Sequence, residues 1–342
     1  MSSDSPFAYR IKSLSCYLRR TPTCPGPPLT AIIATTHRCN MSCRMCIRAQ
    51  KAFDGPDMEM DLFKKIIDEG AVHLRYLSFD GPGETILNPE AFAMFGYAKS
   101  KGIRVMFSTN ALALDKAMAS AILDAGVDMI IFSVDGANGE VYRAVHGTPA
   151  YAKAIANIHQ YLEPKRKRTA SILVIMQMIR LPETQGQVSA FYQQWRGVRG
   201  IDMVRVKQDV VGSDISSRII AAPTSRRRRP CPRLWYGPIF IETNGEVYAS
   251  PGVMYKAEPI GNVAKASLSQ IWNGPAMQAM RRAHARGEAA VFPECRDCRY
   301  PQPRLPLVVA GFFLDPFAAG KLVPLVERLA FWHRLPLFER YG

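Results

Sequence analysis

Long apolar runs are missing from this chain. None approaches the roughly 20 residues that carry a helix across a bilayer, and the stretch 305–314 is too short. The N-terminal stretch also lacks the charged-then-apolar pattern of a secretory leader, so the expected location is cytoplasmic. Acidic residues are scarce: 29 Asp and Glu stand against 44 Lys and Arg, a formal charge of +15. That surplus suits phosphates, nucleic acid or a lipid surface and by itself chooses none of them. Recognised nucleic-acid motifs and aromatic–basic alternation are absent, which sets nucleic acid aside as a partner. There is no internal repeat beyond a strand–helix rhythm, and no low-complexity tract beyond the four arginines at 226–229, read as a solvated linker rather than a phosphate site. The 342 residues are 48% apolar, enough for one large domain and a smaller one, which excludes global disorder. Eight cysteines in such a chain point to metal or redox use rather than disulfides.

Three of those cysteines organise the rest. Cys39, Cys43 and Cys46 are spaced C-x3-C-x2-C directly after the apolar run 31–34, which reads as a buried strand. Three thiolates on one short loop can hold three irons of a [4Fe-4S] cube, leaving the fourth iron open to a small molecule. A closed zinc site needs a fourth Cys or His, and His37 lies too close to Cys39 to fold back easily as that ligand. A disulfide would strand one thiol and needs an oxidising compartment.

This spacing in this place resembles the signature of the radical S-adenosylmethionine (SAM) enzymes. The resemblance implies that Cys39, Cys43 and Cys46 hold a [4Fe-4S] cluster whose open iron chelates the amino and carboxylate groups of SAM. It further implies that one electron splits SAM into methionine and a 5′-deoxyadenosyl radical, which takes hydrogen from the substrate, while the protein binds, orients and excludes water. Met45 departs from the family habit of an aromatic residue before the last cysteine; a thioether can pack on adenine in its stead.

From 29 to 206 short apolar strands alternate with amphipathic helices, the mark of a parallel sheet. Strands are predicted near 31–34, 76–79, 103–107, 129–133, 172–178 and 203–206. Helices are predicted from an Asp61 cap to Gly70, from Asn88-Pro89 to Gly102, over 115–126, from Thr148-Pro149 to just before Pro164, and near 187–195. Six such units suit a partial (β/α)6 barrel, α/β in class, with its chemistry at the C-terminal ends of the strands. Around it, residues 1–28 read as an extension whose Phe7, Ile11, Leu14 and Leu18 pack a helix on the surface, and 207–230 as a basic linker. Residues 231–300 read as a small α+β domain and 301–342 as an apolar, basic tail. The small domain opens on a hairpin, 239–243 and 246–248 about Asn244-Gly245, followed by helices near 268–273 and 275–286.

Each candidate site residue falls at a strand end. Gly83-Glu84 after the second strand resembles the family motif that holds the SAM amino group, with Asp80 beside it. Ser108 and Asn110 end the third strand, and Ser133 and Asp135 the fourth, where small polar groups can bind ribose or carboxylate oxygens or serve as turn chemistry. By the resemblance Arg143 meets the SAM carboxylate and Gln177 on the fifth strand the adenine. His146 reads at least as well as a capping or surface residue, and Lys207 as a solvated lysine.

The small domain carries Cys231, Cys295 and Cys298 with the frame Gly261-Asn262 and Ile271-Trp272-Asn273-Gly274. It resembles the auxiliary-cluster extension called SPASM or its shortened twitch form; the cysteines are too few for the full form. The twitch form implies a second [4Fe-4S] cluster on four cysteines, and Ser250 stands where one is expected. Three readings stay open: a cluster with an open iron, a cluster completed by Ser250, Cys16 or Cys24, or a degenerate or zinc site.

The tail places Leu322, Val323, Leu325, Val326, Leu329, Phe331 and Trp332 among Lys321, Arg328 and Arg334. Packing on its own domain is the expected role, with peripheral contact at the inner membrane face as the alternative. The expected activity is hydrogen abstraction from a small polar substrate, sugar- or cyclitol-like and phosphate- or lipid-linked, ending in net oxidation or rearrangement. The reductant is expected to be a flavodoxin or ferredoxin. Two alternatives stand beside it: modification of a ribosomally made peptide, and a metal-binding module without catalysis.

Overall fold

The computed structural model describes residues 5–49, 51–168, 170–208, 230–251, 257–296, 298, 305–314 and 317. Helix α1 (Pro6–Arg19) starts on Ser5, whose side chain accepts the Ala8 N–H, and ends at Arg20 in the left-handed conformation. The barrel follows as β1 (Thr30–Ile33), α2 (Met60–Gly70), β2 (Tyr76–Phe79), α3 (Ala91–Ser100), β3 (Arg104–Thr109), α4 (Lys116–Asp124) and β4 (Met129–Ser133). It continues with α5 (Gly139–His146), α6 (Tyr151–Lys167), β5 (Leu173–Arg180), α7 (Val188–Trp195) and β6 (Met203–Gln208). After it come α8 (Arg233–Tyr236), β7 (Ile239–Ile241), β8 (Glu246–Tyr248), β9 (Gly261–Asn262), α9 (Leu268–Trp272), α10 (Pro275–Arg286), α11 (Pro293–Arg296) and α12 (Leu305–Phe313).

The strands form one sheet in the order β6-β5-β4-β3-β2-β1-β7-β8-β9. β1 to β6 run parallel, an open, partial barrel. Alternation along each strand sorts the side chains to two faces. Leu77, Phe79, Val105, Phe107, Ile130, Phe132, Val174 and Met176 join the helices in the main core. Phe79, Phe95 and Phe107 stack there with centroids 4.6 and 5.0 Å apart, each burial worth about 1.5–3 kcal/mol, which fastens α3 to the sheet. The opposite, concave face carries a second cluster, Met129, Ile131, Leu173 and Ile175 with Tyr76, Met106 and Met203, closed by Phe317. Above that apolar floor the same face turns polar.

Several local expectations are corrected. Helix α2 begins one residue earlier than its expected Asp61 cap, with Glu59 at the cap position. Asn88 does not cap α3: its Oδ1 accepts the Glu90 N–H at 2.8 Å and its Nδ2 reaches the Thr35 carbonyl at 2.9 Å. Pro164 lies inside α6 rather than beyond it, and α5 is a separate helix capped by Asn138. The hairpin is not a free-standing sheet either. β7 pairs in parallel with β1, Ile33 opposite Ile241, so the small unit extends the barrel sheet. The linker arginines and the apolar tail beyond Phe317 fall outside the described residues.

Candidate functional site

The loop after β1 carries Cys39, Cys43 and Cys46, and four neighbouring elements fix its backbone. From β2, a Cβ on Gly83 would lie 2.1 Å from the Thr36 carbonyl oxygen and 3.0 Å from that of Arg38, so only glycine lets the two backbones meet. Glu84 then donates its N–H to the Arg38 carbonyl at 2.8 Å. From β3, Asn110 donates its Nδ2–H to Asn40 Oδ1 at 2.8 Å and its backbone N–H to Glu84 Oε2 at 2.9 Å. From β4, the end of α5 lies against the loop: Arg44 N–H donates to the Val145 carbonyl at 3.0 Å. Gly147, at φ +72°, approaches Ser42 so closely that a Cβ would sit 3.2 Å from its carbonyl oxygen. From β7, Glu242 meets His37 Nε2 at 2.6 Å, and that partner raises the His37 pKa.

All three thiols are half-buried. Burial raises the Cys39 and Cys43 pKa values, and for Cys43 the neighbouring Cys46, Cys39 and Asp135 raise it further. Thiols such as Cys39 and Cys43, held protonated by burial, are what an iron–sulfur cluster converts to bound thiolates, since the metal supplies the missing positive charge. Among the described residues, no three His, Cys, Asp or Glu side chains converge on a single metal ion. Glu84 is 5% exposed, and among the described residues no donor meets hydrogen-bond geometry at its buried Oε1. Burial pushes its carboxyl up to about 7, against the opposing pull of donors led by the Asn110 N–H. That oxygen is a ready seat for an ammonium group. The donor set therefore fits a cluster with an amine ligand beside it.

The other expected residues separate into groups. Asp135 is 1% exposed and its Oδ1 accepts the Ile179 N–H at 2.5 Å. Ser133 is half-buried opposite Gln177 in the β4–β5 register. Gln177 Oε1 accepts the Arg205 Nε–H at 2.9 Å. Ser108 Oγ donates to Asp80 Oδ2 at 3.4 Å, joined by Ser78 Oγ at 3.2 Å. Burial raises the Asp80 pKa, and the charges of Lys207 and Arg205 oppose the rise. Arg143 is exposed on α5. The same helix instead buries His146 to 2% exposure, so the surface reading of His146 is corrected. Its Nδ1 lies 3.0 Å from Cys43 Sγ, and its Nε2 accepts the Asp135 N–H at 3.3 Å. Burial lowers its pKa to about 4, leaving the ring neutral. Arg205 was not foreseen; its two-residue spacing from Met203 and Lys207 on β6 is the signal that places it on the concave face.

The second cysteine group is Cys231, Cys295 and Cys298. Cys231 donates its N–H to His284 Nδ1 at 3.3 Å, and its thiol is raised by burial and by nearby Cys298. Cys298 N–H reaches the Cys295 carbonyl at 3.4 Å, and Ser250 Oγ accepts from Arg233 at 3.4 Å. Cys24 is pushed up to about 11 by burial; it couples to Arg281 and Cys16, and its backbone N–H bonds Asn273 Oδ1 at 2.7 Å.

Residues 33–180 match the family model of the radical SAM superfamily, and residues 231–299 that of SPASM, an iron-sulfur cluster-binding domain. The chain belongs to the radical SAM superfamily and carries a SPASM domain. A radical SAM domain implies a [4Fe-4S] cluster and SAM, and a SPASM domain further iron–sulfur clusters. Such enzymes use a reductant and a substrate. The chain is 34% identical over 102 residues, 29% of each chain, to the tungsten-containing aldehyde ferredoxin oxidoreductase cofactor-modifying protein of Pyrococcus furiosus. It is 30% identical over 125 residues, 36% of each chain, to the AdoMet-dependent heme synthase of Methanosarcina barkeri. These matches span about a third of each relative's length. In fold it is similar to Streptococcus suis SuiB bound to precursor peptide SuiA, at TM-score 0.62 and 12% identity over 80% of this chain and 70% of that one. No helix among the described residues is long and apolar enough to cross a membrane.

Proposed function

We propose that this radical SAM enzyme abstracts hydrogen from a small polar substrate bearing an anionic group, with net oxidation or rearrangement as the outcome. Cys39, Cys43 and Cys46 would hold the SAM-binding cluster, and Cys231, Cys295 and Cys298 a second one, with a flavodoxin or ferredoxin as reductant. The chemistry these groups supply when bound is hydrogen-atom abstraction from an unactivated carbon. Gly83 lets the loop close on Glu84, whose Oε1 would accept an N–H of the SAM amino group; Asn110 holds that carboxylate and the loop together. Ser133 and Asp135 would line the ribose and carboxylate side, and Gln177 the adenine side. Arg143, exposed on α5, would reach the SAM carboxylate only if its side chain turned inward.

The observation that carries the substrate reading is the polar upper layer of the concave face. Asp80, Ser78 and Ser108 stand on one side of it, with Gln177, Arg205 and Lys207 on the other. One carboxylate with two hydroxyls suits a substrate hydroxyl or amine, and two cations suit a phosphate or carboxylate. Arg205→Gln is expected to raise KM for such a substrate at least tenfold and to leave substrate-free SAM cleavage under dithionite unchanged. An unchanged KM would remove Arg205 from the substrate site.

Peptide modification is the second reading, favoured by the fold shared with SuiB bound to its precursor peptide. Reconstituted protein assayed on phosphorylated sugars, cyclitols and precursor peptides separates the two, since product from a free metabolite ends the peptide reading. Absence of SAM cleavage on any of them would favour a binding module.

The Glu84 assignment carries a pH signature. A carboxyl raised to about 7 must lose its proton to accept an ammonium, so SAM affinity is expected to rise as pH climbs through 7 and to level off above it. Glu84→Gln is expected to bind weakly with no such slope in calorimetry. The same slope in that variant would assign it to another group.

A further inference from the structure

Outside the cysteines themselves, the most constrained polar contact of the loop is the one between Cys43 and His146. Asp135 presents two atoms to Nε2, its backbone N–H at 3.3 Å and its carboxylate Oδ2 at 3.5 Å. The N–H is the shorter contact, an obligatory donor and the one that meets hydrogen-bond geometry, which assigns the Nε2 lone pair to it. In the neutral ring the proton is then on Nδ1, 3.0 Å from Cys43 Sγ. The ring has little freedom to turn. It is 2% exposed, packs on Tyr142 at 4.3 Å between centroids, and sits in the last turn of α5, beside the left-handed Gly147. Asp135 is itself held by the Ile179 N–H at 2.5 Å.

We infer that His146 is a positioning residue whose Nδ1–H donates a fixed hydrogen bond to the Cys43 sulfur and sets the reduction potential of the cluster on that loop. The inference rests on the proposed assignment of Cys43 as a cluster ligand. An N–H aimed at a ligating sulfur withdraws negative charge and favours the reduced cluster, which carries one more electron. The bond thus makes the cluster easier to reduce. Asp135 acts through the ring, fixing its tautomer by a backbone N–H that no side-chain substitution removes.

The test is an EPR-monitored redox titration of anaerobically reconstituted full-length protein. His146→Leu is expected to shift the reduction equilibrium about tenfold toward the oxidised cluster, a midpoint about 59 mV lower for a one-electron couple. His146→Asn, whose amide can present an N–H from a similar place, is expected to recover part of the shift. Protein labelled with nitrogen-15 histidine is expected to show nitrogen hyperfine coupling to the reduced cluster that His146→Asn loses. Equal midpoints in wild type and His146→Leu would overturn the inference while leaving the cluster assignment intact. Should His146→Leu fail to hold a cluster, a wild-type spectrum without a histidine coupling that His146→Asn removes would overturn it equally. A wild-type chain that takes up no iron would bring down the cluster assignment first and the inference with it.

Discussion

Replacing Cys39, Cys43 and Cys46 together by alanine is expected to remove about four irons and the matching sulfide from anaerobically purified protein and to abolish SAM cleavage. The wild type is expected to hold about eight irons, so about four would remain, on Cys231, Cys295 and Cys298. The size of the effect follows from geometry. The three thiols are half-buried on one loop, and the charges of Cys39 and Cys46 raise the cost of ionising Cys43 beyond what burial does. A fall from about four irons to none would keep the enzyme and remove the second cluster. Zinc in the wild type, in place of iron, would overturn the assignment at Cys39.

Gly83→Ala is expected to do nearly as much damage with one methyl group. The added carbon would lie 2.1 Å from the Thr36 carbonyl oxygen, a backbone atom that no rotamer change can move aside. Either the Glu84 segment or the cysteine loop must retreat, breaking the Glu84–Arg38 hydrogen bond. Overpacking of this kind costs about 1–3 kcal/mol, and the strain falls on the loop because β1 and β2 are locked by their ladder. The expected result is a folded barrel by circular dichroism that retains the second cluster but loses most of the first, with SAM cleavage reduced at least a hundredfold. Full iron content and cleavage in this variant would mean that the loop yields without cost.

The sequence made the barrel legible because its signals are local. Six apolar strands alternate with five periodic helical segments, three of them stopped at Gly70, Gly102 and Gly126, and Cys39, Cys43 and Cys46 share one short loop. Gly83 and Glu84 are picked out by the resemblance of their motif beside the cysteine loop, their place alone reading as a turn, and the structure shows why residue 83 is glycine. What escaped depends on distant partners. His146 sits on a short helix whose polar-looking sequence says nothing of Cys43, which lies more than one strand–helix unit away. Arg143, on the same helix, is expected at the SAM carboxylate by the resemblance, and its side chain is exposed. Arg205 hid inside a strand because an arginine between valines reads as a solvent-facing position until the concave face is known. Asn88 looked like a cap, although its amide is committed to the Thr35 carbonyl.

The pairing of β1 with β7 has a bearing on how the chain is made. Ile33 is among the first barrel residues to leave the ribosome and its partner Ile241 follows only after β6 is complete. Until then one side of β1 is a raw strand edge, with unpaired N–H and C=O groups beside the cysteine loop. Folding begun on the nascent chain can stack β2 to β6 against one another, but the edge next to the cysteine loop is sealed only when β7 arrives. Iron delivered before that point would meet a loop lacking its β7 wall and the Glu242 partner of His37.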